Sequence, residues 1–200
     1  MNKEKVFTPK FISGVGILTA VEIVLYIVGS LIQNGTGVSI NLALIPIAIG
    51  AILFGPICGV VLGVVNGVAV LLTPGTQLVF MNVDMFGEWC IFGTIVVCLL
   101  KCSVAGLVSA YVYKLIKKGL PAVIAASFAV PVINTGLFVV GACIFFQPML
   151  SGLLASVFSF NFIIEVVTVA ALSPAIIRVV EVVNKRNVAS TTTSENNEEK

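Results

Sequence analysis

Polar side chains interrupt apolar stretches of this chain that are otherwise long enough to cross a bilayer. Asn161 and Glu165 lie four residues apart in "FNFIIEVVTVAALSPAIIRVVE", so on a helix they share one face, about 6 and 12 Å below its outer end. Asn134 follows Pro131 in "PVINTG", and Lys101 lies near the middle of the preceding stretch. Such groups are costly in hydrocarbon and normally face a bundle interior or a wet cavity.

Two interpretations of these groups remain open. In the first, Lys101, Glu165 and a further acid, Glu22, form an internal network that only fixes helix packing, because buried charges are usually paired. In the second, Lys101, Asn134, Asn161 and Glu165 line a pocket for a small solute. The concentration of polar groups in the outer halves of two helices favours the pocket.

Four residues near the outer boundary are further candidate ligand contacts, each with a simpler alternative. Trp89 is first an interfacial anchor and second a stacking surface. Asp84 and Glu88 would otherwise be solvated loop charges, and Asn41 would otherwise cap the second helix.

The sequence predicts no catalytic residue, no metal site and no cofactor. It contains no histidine, and it has no zinc-protease, serine-hydrolase or Walker A motif. Its five cysteines lie mostly in apolar segments, where cysteine is usually a packing residue. Any transport driven by ATP would therefore need a partner subunit.

The elements that must position these groups are membrane helices. Hydrophobic residues make up 58% of the chain and charged residues 10%, with a mean hydropathy of +1.15, which indicates an integral membrane protein. The predicted fold is an all-α bundle of six transmembrane helices in one domain over 11–183. The helices are predicted at 11–33, 41–54, 57–73, 89–115, 121–146 and 157–183; the second and third are short enough to form a re-entrant hairpin instead of two full spans.

Basic residues predict the orientation. All except Lys101 lie in the head, in or next to the loop that contains Lys117, or near and beyond the end of the last span, so both termini are predicted to be cytoplasmic. Residues 1–10 form the head, and the polar tail 184–200 is predicted to be disordered. The outer loops are then 34–40, 74–88 and 147–156.

Small residues predict where backbones approach closely. Gly55, Gly59, Gly63 and Gly67 recur every four residues and are interpreted as a packing seam inside the bundle. Gly16 and Ala20 form a second small pair on the first helix. Its partner is either another helix of this chain or another protein.

Three segments together resemble the substrate-binding S component of the energy-coupling factor (ECF) vitamin transporters of prokaryotes, and most of all the riboflavin and pantothenate branch. The resemblance spans the chain except its tail, and these segments are "INLALIPIAIGAILFGPICGVVLGVVNG", "PVINTGLF" and "FNFIIEVVTVAALSPAIIRVV".

This resemblance implies a six-helix bundle in the plasma membrane that binds one vitamin near its outer face, with the loop "NGTGVSI" as a lid. Asn134, Asn161 and Glu165 match polar positions that contact ligand in relatives. Gly16 and Ala20 match in part an alanine pair that docks on the energy-coupling transmembrane subunit, and two cytoplasmic ATPases would complete the complex. The buried cation of Lys101 favours an anionic vitamin such as pantothenate.

Two other functions remain open. The chain could be an autonomous secondary transporter, or an accessory membrane protein in which the polar groups only lock helices together. Transport by the chain alone would distinguish the first of these from an S component.

Overall fold

The computed structural model describes residues 8–36, 41–81, 83–116, 119–145 and 162–198, and within these ranges the chain is helical with no strand. The helices are α1 (Pro9–Thr36), α2 (Leu44–Phe54), α3 (Pro56–Leu71), α4 (Pro74–Met81), α5 (Val83–Leu115), α6 (Leu120–Phe145) and α7 (Phe162–Glu198). The all-α prediction is therefore confirmed for the described residues.

Within the described residues, three helical stretches are long and apolar enough to cross a membrane. They are Phe11–Gln33, Gly87–Leu115 and Leu120–Phe145. A fourth would form if Phe162–Val169 and Pro174–Val183, which meet at 44°, act as one bent span; Pro174 lacks the N–H that would continue the helical bonding. α2 and α3 are shorter apolar helices, as their sequence lengths predict. These are the helices of a membrane protein.

Helix α2 lies at the centre of the bundle although it has only 11 residues. It contacts α1, α3, α5, α6 and α7, and Leu44, Ile47 and Ala48 are almost fully buried in one core cluster. Because α2 is apolar around its whole circumference, it can be surrounded by other helices on all sides.

The predicted glycine seam is confirmed between α3 and α5. A Cβ on Gly63 would lie 2.5 Å from the carbonyl carbon of Cys102, and one on Gly59 would lie 2.7 Å from the carbonyl oxygen of Gly106. Gly67 approaches the α5 backbone in the same way. Rising residue numbers on α3 meet falling numbers on α5, so the two helices are antiparallel and pack at a distance that only glycine allows.

Gly55 does not belong to this seam. It has φ 87° and nothing within 4 Å of the position that a Cβ would take, and it forms the turn between α2 and α3. Glycine adopts this left-handed conformation without the steric cost that other residues pay. The four-residue spacing predicted Gly55 as a packing residue, and this prediction is wrong because Gly55 forms a turn.

The observed helix boundaries differ most from the predicted ones in three places. Residues 74–81 and 83–86, predicted as an outer loop, are helical, and Gly87, with φ 76° and ψ 156°, marks the break before the α5 span. The second helix begins at Leu44 instead of Asn41. Helix α7 continues through 184–198, where the sequence predicts a disordered tail; adding residues to an existing helix requires no new nucleation.

Candidate functional site

Helices α5, α6 and α7 bring together Lys101, Asn134, Thr135 and Glu165, which we call the polar cluster. The Thr135 hydroxyl donates a hydrogen bond to Glu165 Oε2 at 3.2 Å. Lys101 acts electrostatically on the same carboxylate. Three of the four residues predicted for the pocket are thus in one region, each from a different helix.

Lys101 and Glu165 attract each other without forming a direct ion pair in the described part of the chain. The Lys101 Nζ instead lies 5.3 Å from the centroid of the Phe138 ring, a distance at which the ring face attracts a cation. Both charged residues are only partly buried. Their charged groups therefore retain capacity for hydrogen bonds to a third molecule.

Asn134 is held against α5 by a thiol. Cys102 Sγ donates to Asn134 Oδ1 at 3.3 Å, and both residues are buried. The bond fixes the orientation of the amide on the side of α6 that faces the bundle interior. Asn134 lies next to Thr135 in sequence, so α6 presents an amide and a hydroxyl to two neighbouring helices.

Asn41 lies just before α2, three residues ahead of Leu44. Leu44 packs in the same core cluster as Cys102 and Val130, so the start of α2 reaches the depth of the polar cluster. The buried Asn41 Oδ1 has no hydrogen-bond partner. The alternative that Asn41 caps α2 is wrong, because the N-cap residue is Ala43 and no side chain caps the helix.

Trp89 belongs to a separate aromatic group at the start of the α5 span. Its ring stacks on Phe92 with centroids 6.0 Å apart and lies 5.2 Å from the ring of Phe145. Twelve residues separate Trp89 from Lys101, which corresponds to about 18 Å along a helix. Trp89 is 62% exposed and its neighbour Glu88 is also exposed. Neither residue contacts the polar cluster.

Two predicted contacts cannot be located in the same way. Asn161 lies outside the described residues, and of Asp84 only the backbone is described.

Gly16 and Ala20 are exposed on α1, on the side away from the bundle, and a Cβ on Gly16 would meet nothing within 4 Å.

Glu22 is separate from the polar cluster, contrary to the interpretation that joined it with Lys101 and Glu165. It is 2% exposed on α1 and neither carboxylate oxygen has a partner. Lys101 acts on Glu165 and not on Glu22, because α1 packs on α2 and α3. The three charges therefore do not form one network.

Sequence reasoning missed two members of the site, Thr135 and Phe138. Both lie in the quoted stretch "PVINTGLF". Helical spacing was the available signal, since Phe138 follows Asn134 by four residues and so shares its helix face.

Comparison with protein families, with characterised proteins and with solved structures gives no match to this chain.

Proposed function

We propose that this chain is the substrate-binding S component of an ECF-type importer, and that it captures a vitamin at the outer face of a prokaryotic plasma membrane. The observation that carries the proposal is the polar cluster: an amine, a carboxylate, an amide and a hydroxyl converge from three helices inside an apolar bundle. Grouped polar side chains at membrane depth typically mark a solute site.

The side chains of the polar cluster suit an anionic vitamin that also carries hydroxyl and amide groups, as pantothenate does. Lys101 would bind the carboxylate, since it has no ion-pair partner among the described residues. Glu165 would accept hydrogen bonds from hydroxyl or amide donors, and the unpartnered Asn41 Oδ1 would accept another.

The finer topology belongs to the same proposal. Six spans with both termini in the cytoplasm would put the start of α6 and the end of α5 inside, because "KLIKKGLP" joins them with three lysines. The vitamin would then enter from the end of the bundle that holds Trp89.

The exposed side of α1 supports the part of the proposal that concerns partners. Gly16 and Ala20 are exposed, and small residues allow a second helix to approach closely in a membrane. The partner would be the energy-coupling transmembrane subunit, with ATP hydrolysis supplied by two cytoplasmic ATPases.

A vitamin panel titrated into the purified chain by calorimetry tests the proposal. We expect one vitamin, pantothenate first, to bind without ATP. A folded sample that binds no vitamin would contradict it.

An accessory role is the second candidate, because the Thr135–Glu165 and Cys102–Asn134 bonds also tie helices together. Reconstitution distinguishes the remaining possibilities: uptake into liposomes that contain this chain alone indicates a secondary transporter, whereas uptake only with added coupling subunits indicates an S component.

A further inference from the structure

Glu22 and Asn66 are the two polar side chains of the described residues that are almost wholly buried and wholly without partners. Glu22 is 2% exposed and Asn66 is 0% exposed. Both carboxylate oxygens of Glu22 and both amide atoms of Asn66 lack a hydrogen bond. Such atoms normally find a partner in protein or ordered solvent, so four at once require an explanation.

The two residues continue facing stripes of α1 and α3. Val15 and Leu18 of α1 pack against the core cluster that contains Cys58 and Leu62 of α3. Glu22 follows Leu18 by four residues and Asn66 follows Leu62 by four, so each lies one helical turn further along the same face.

Depth along the helices agrees with this placement. The Phe11 and Phe54 rings meet at one end of the pair, with centroids 6.2 Å apart, and the Tyr26 and Thr73 side chains lie close together at the other end. α1 and α3 therefore run parallel. Glu22 is four residues before Tyr26, about 6 Å, and Asn66 is seven before Thr73, about 10 Å, so the two side chains lie at similar depths between the two helices, in a region that we call the polar layer.

Among the residues that the structure describes, no positive side chain is paired with Glu22. Cys58 on α3 and Cys102 on α5 interact electrostatically with Glu22, and Tyr26 lies one turn further along α1. None of these groups carries a positive charge in either protonation state. α2, the remaining helix packed against α1, has no titratable residue. A lone carboxylate in such surroundings is strongly disfavoured, so its charge must be neutralised by something that enters the layer.

We propose that Glu22 and Asn66 form a binding site for one monovalent cation, a proton or a sodium ion. A proton on Glu22 makes a neutral acid, and rotation of the two side chains would then let its O–H donate to Asn66 Oδ1 while Asn66 Nδ2 donates to the other carboxyl oxygen. A sodium ion would instead be held by the carboxylate oxygens together with Asn66 Oδ1. Either cation neutralises the acid and gives partners to atoms that now have none.

This site is formed by α1 and α3, whereas the polar cluster is formed by α5, α6 and α7, so it does not depend on the vitamin-binding proposal. Cys102 interacts electrostatically with both Glu22 and Glu165. Failure of vitamin binding would therefore leave the cation site standing, and failure of the cation site would leave the vitamin site standing.

Infrared spectroscopy of the purified full chain at neutral pH tests the proposal, because a protonated carboxylic acid has a carbonyl band that a carboxylate lacks. Wild type and Glu22→Gln are compared in sodium-free choline buffer and in sodium buffer. If wild type shows the carbonyl band in both buffers and Glu22→Gln lacks it in both, the bound cation is a proton. A wild-type band that is present in choline, absent in sodium and missing from Glu22→Gln identifies a sodium ion.

Identical carbonyl bands in wild type and Glu22→Gln in both buffers would overturn the proposal. Glu181→Gln is the matched control, because Glu181 is exposed on α7 and its removal should leave the band unchanged. If Glu22→Gln fails to fold, the Glu165→Gln variant is used instead, with ¹³C in its glutamate carboxyl groups. An isotope-shifted carbonyl band then reports Glu22, the remaining buried glutamate. Absence of this band in both buffers would overturn the proposal.

Discussion

The hydroxyl of Thr135 donates to Glu165 Oε2 at 3.2 Å and so links α6 to α7 inside the bundle. The bond restricts the rotation of the carboxylate. Lys101 acts on the same group from α5. The two groups are therefore preorganised for a ligand that donates hydrogen bonds to the Glu165 carboxylate and places a negative charge near the Lys101 amine.

Replacing Glu165 with alanine should weaken vitamin binding about tenfold or more, because a hydrogen bond to a charged group contributes roughly 1.5–3 kcal/mol. The bundle should stay folded, since Glu165 is only partly buried. Calorimetry measures the affinity and size-exclusion chromatography the folding. Glu181→Ala, an exposed change on the same helix, is the control; equal affinities for the two variants would remove Glu165 from the site.

Replacing Lys101 with methionine should remove the preference for an anionic vitamin while keeping the length of the side chain. Wild type should bind pantothenate at least about tenfold more tightly than its uncharged alcohol analogue, because charge-assisted hydrogen bonds are the strong ones. Lys101→Met should bind both alike. Lys114→Met, at an exposed lysine near Tyr111, should retain the preference. A preference that survives in Lys101→Met would show that another group binds the charge.

Adding a single methyl group to the glycine seam should destabilise the bundle. A Cβ at position 63 would lie 2.5 Å from the α5 backbone at Cys102, so Gly63→Ala should lower the free energy of unfolding by about 1–3 kcal/mol. Gly16→Ala, where nothing lies within 4 Å, should leave the stability unchanged or raise it by up to about 1 kcal/mol. Thermal unfolding in detergent checks both, and equal melting temperatures would argue against the close approach.

Enlarging the small residues on the exposed side of α1 should affect assembly and not vitamin binding. Gly16→Leu with Ala20→Leu adds bulk to a surface that faces away from the bundle, which would block close approach by a partner helix. Co-purification with the coupling subunits should fall, while calorimetric affinity stays the same. The control is Ala171→Leu, at an exposed position of α7; if it reduces assembly equally, α1 is not the docking surface.

The polar cluster could be predicted in part from depth alone. A lysine, an asparagine and a glutamate within apolar stretches had to face inward, because hydrocarbon does not solvate them, and Lys101, Asn134 and Glu165 do meet. Thr135 and Phe138 were missed because threonine and phenylalanine are ordinary in membrane helices. Only their contacts with Glu165 and Lys101 distinguish them.

The sequence by itself determined the helical fold, the membrane character and the glycine seam, because hydropathy and a four-residue spacing are local properties of the chain. Tertiary structure alone decided which buried charges share a neighbourhood. Glu22 is as deep in an apolar stretch as Lys101 and Glu165, yet α1 packs on α2 and α3 whereas Glu165 packs beside α6. Depth along a helix follows from residue number, but the neighbours on each side follow only from how the helices are arranged in the bundle.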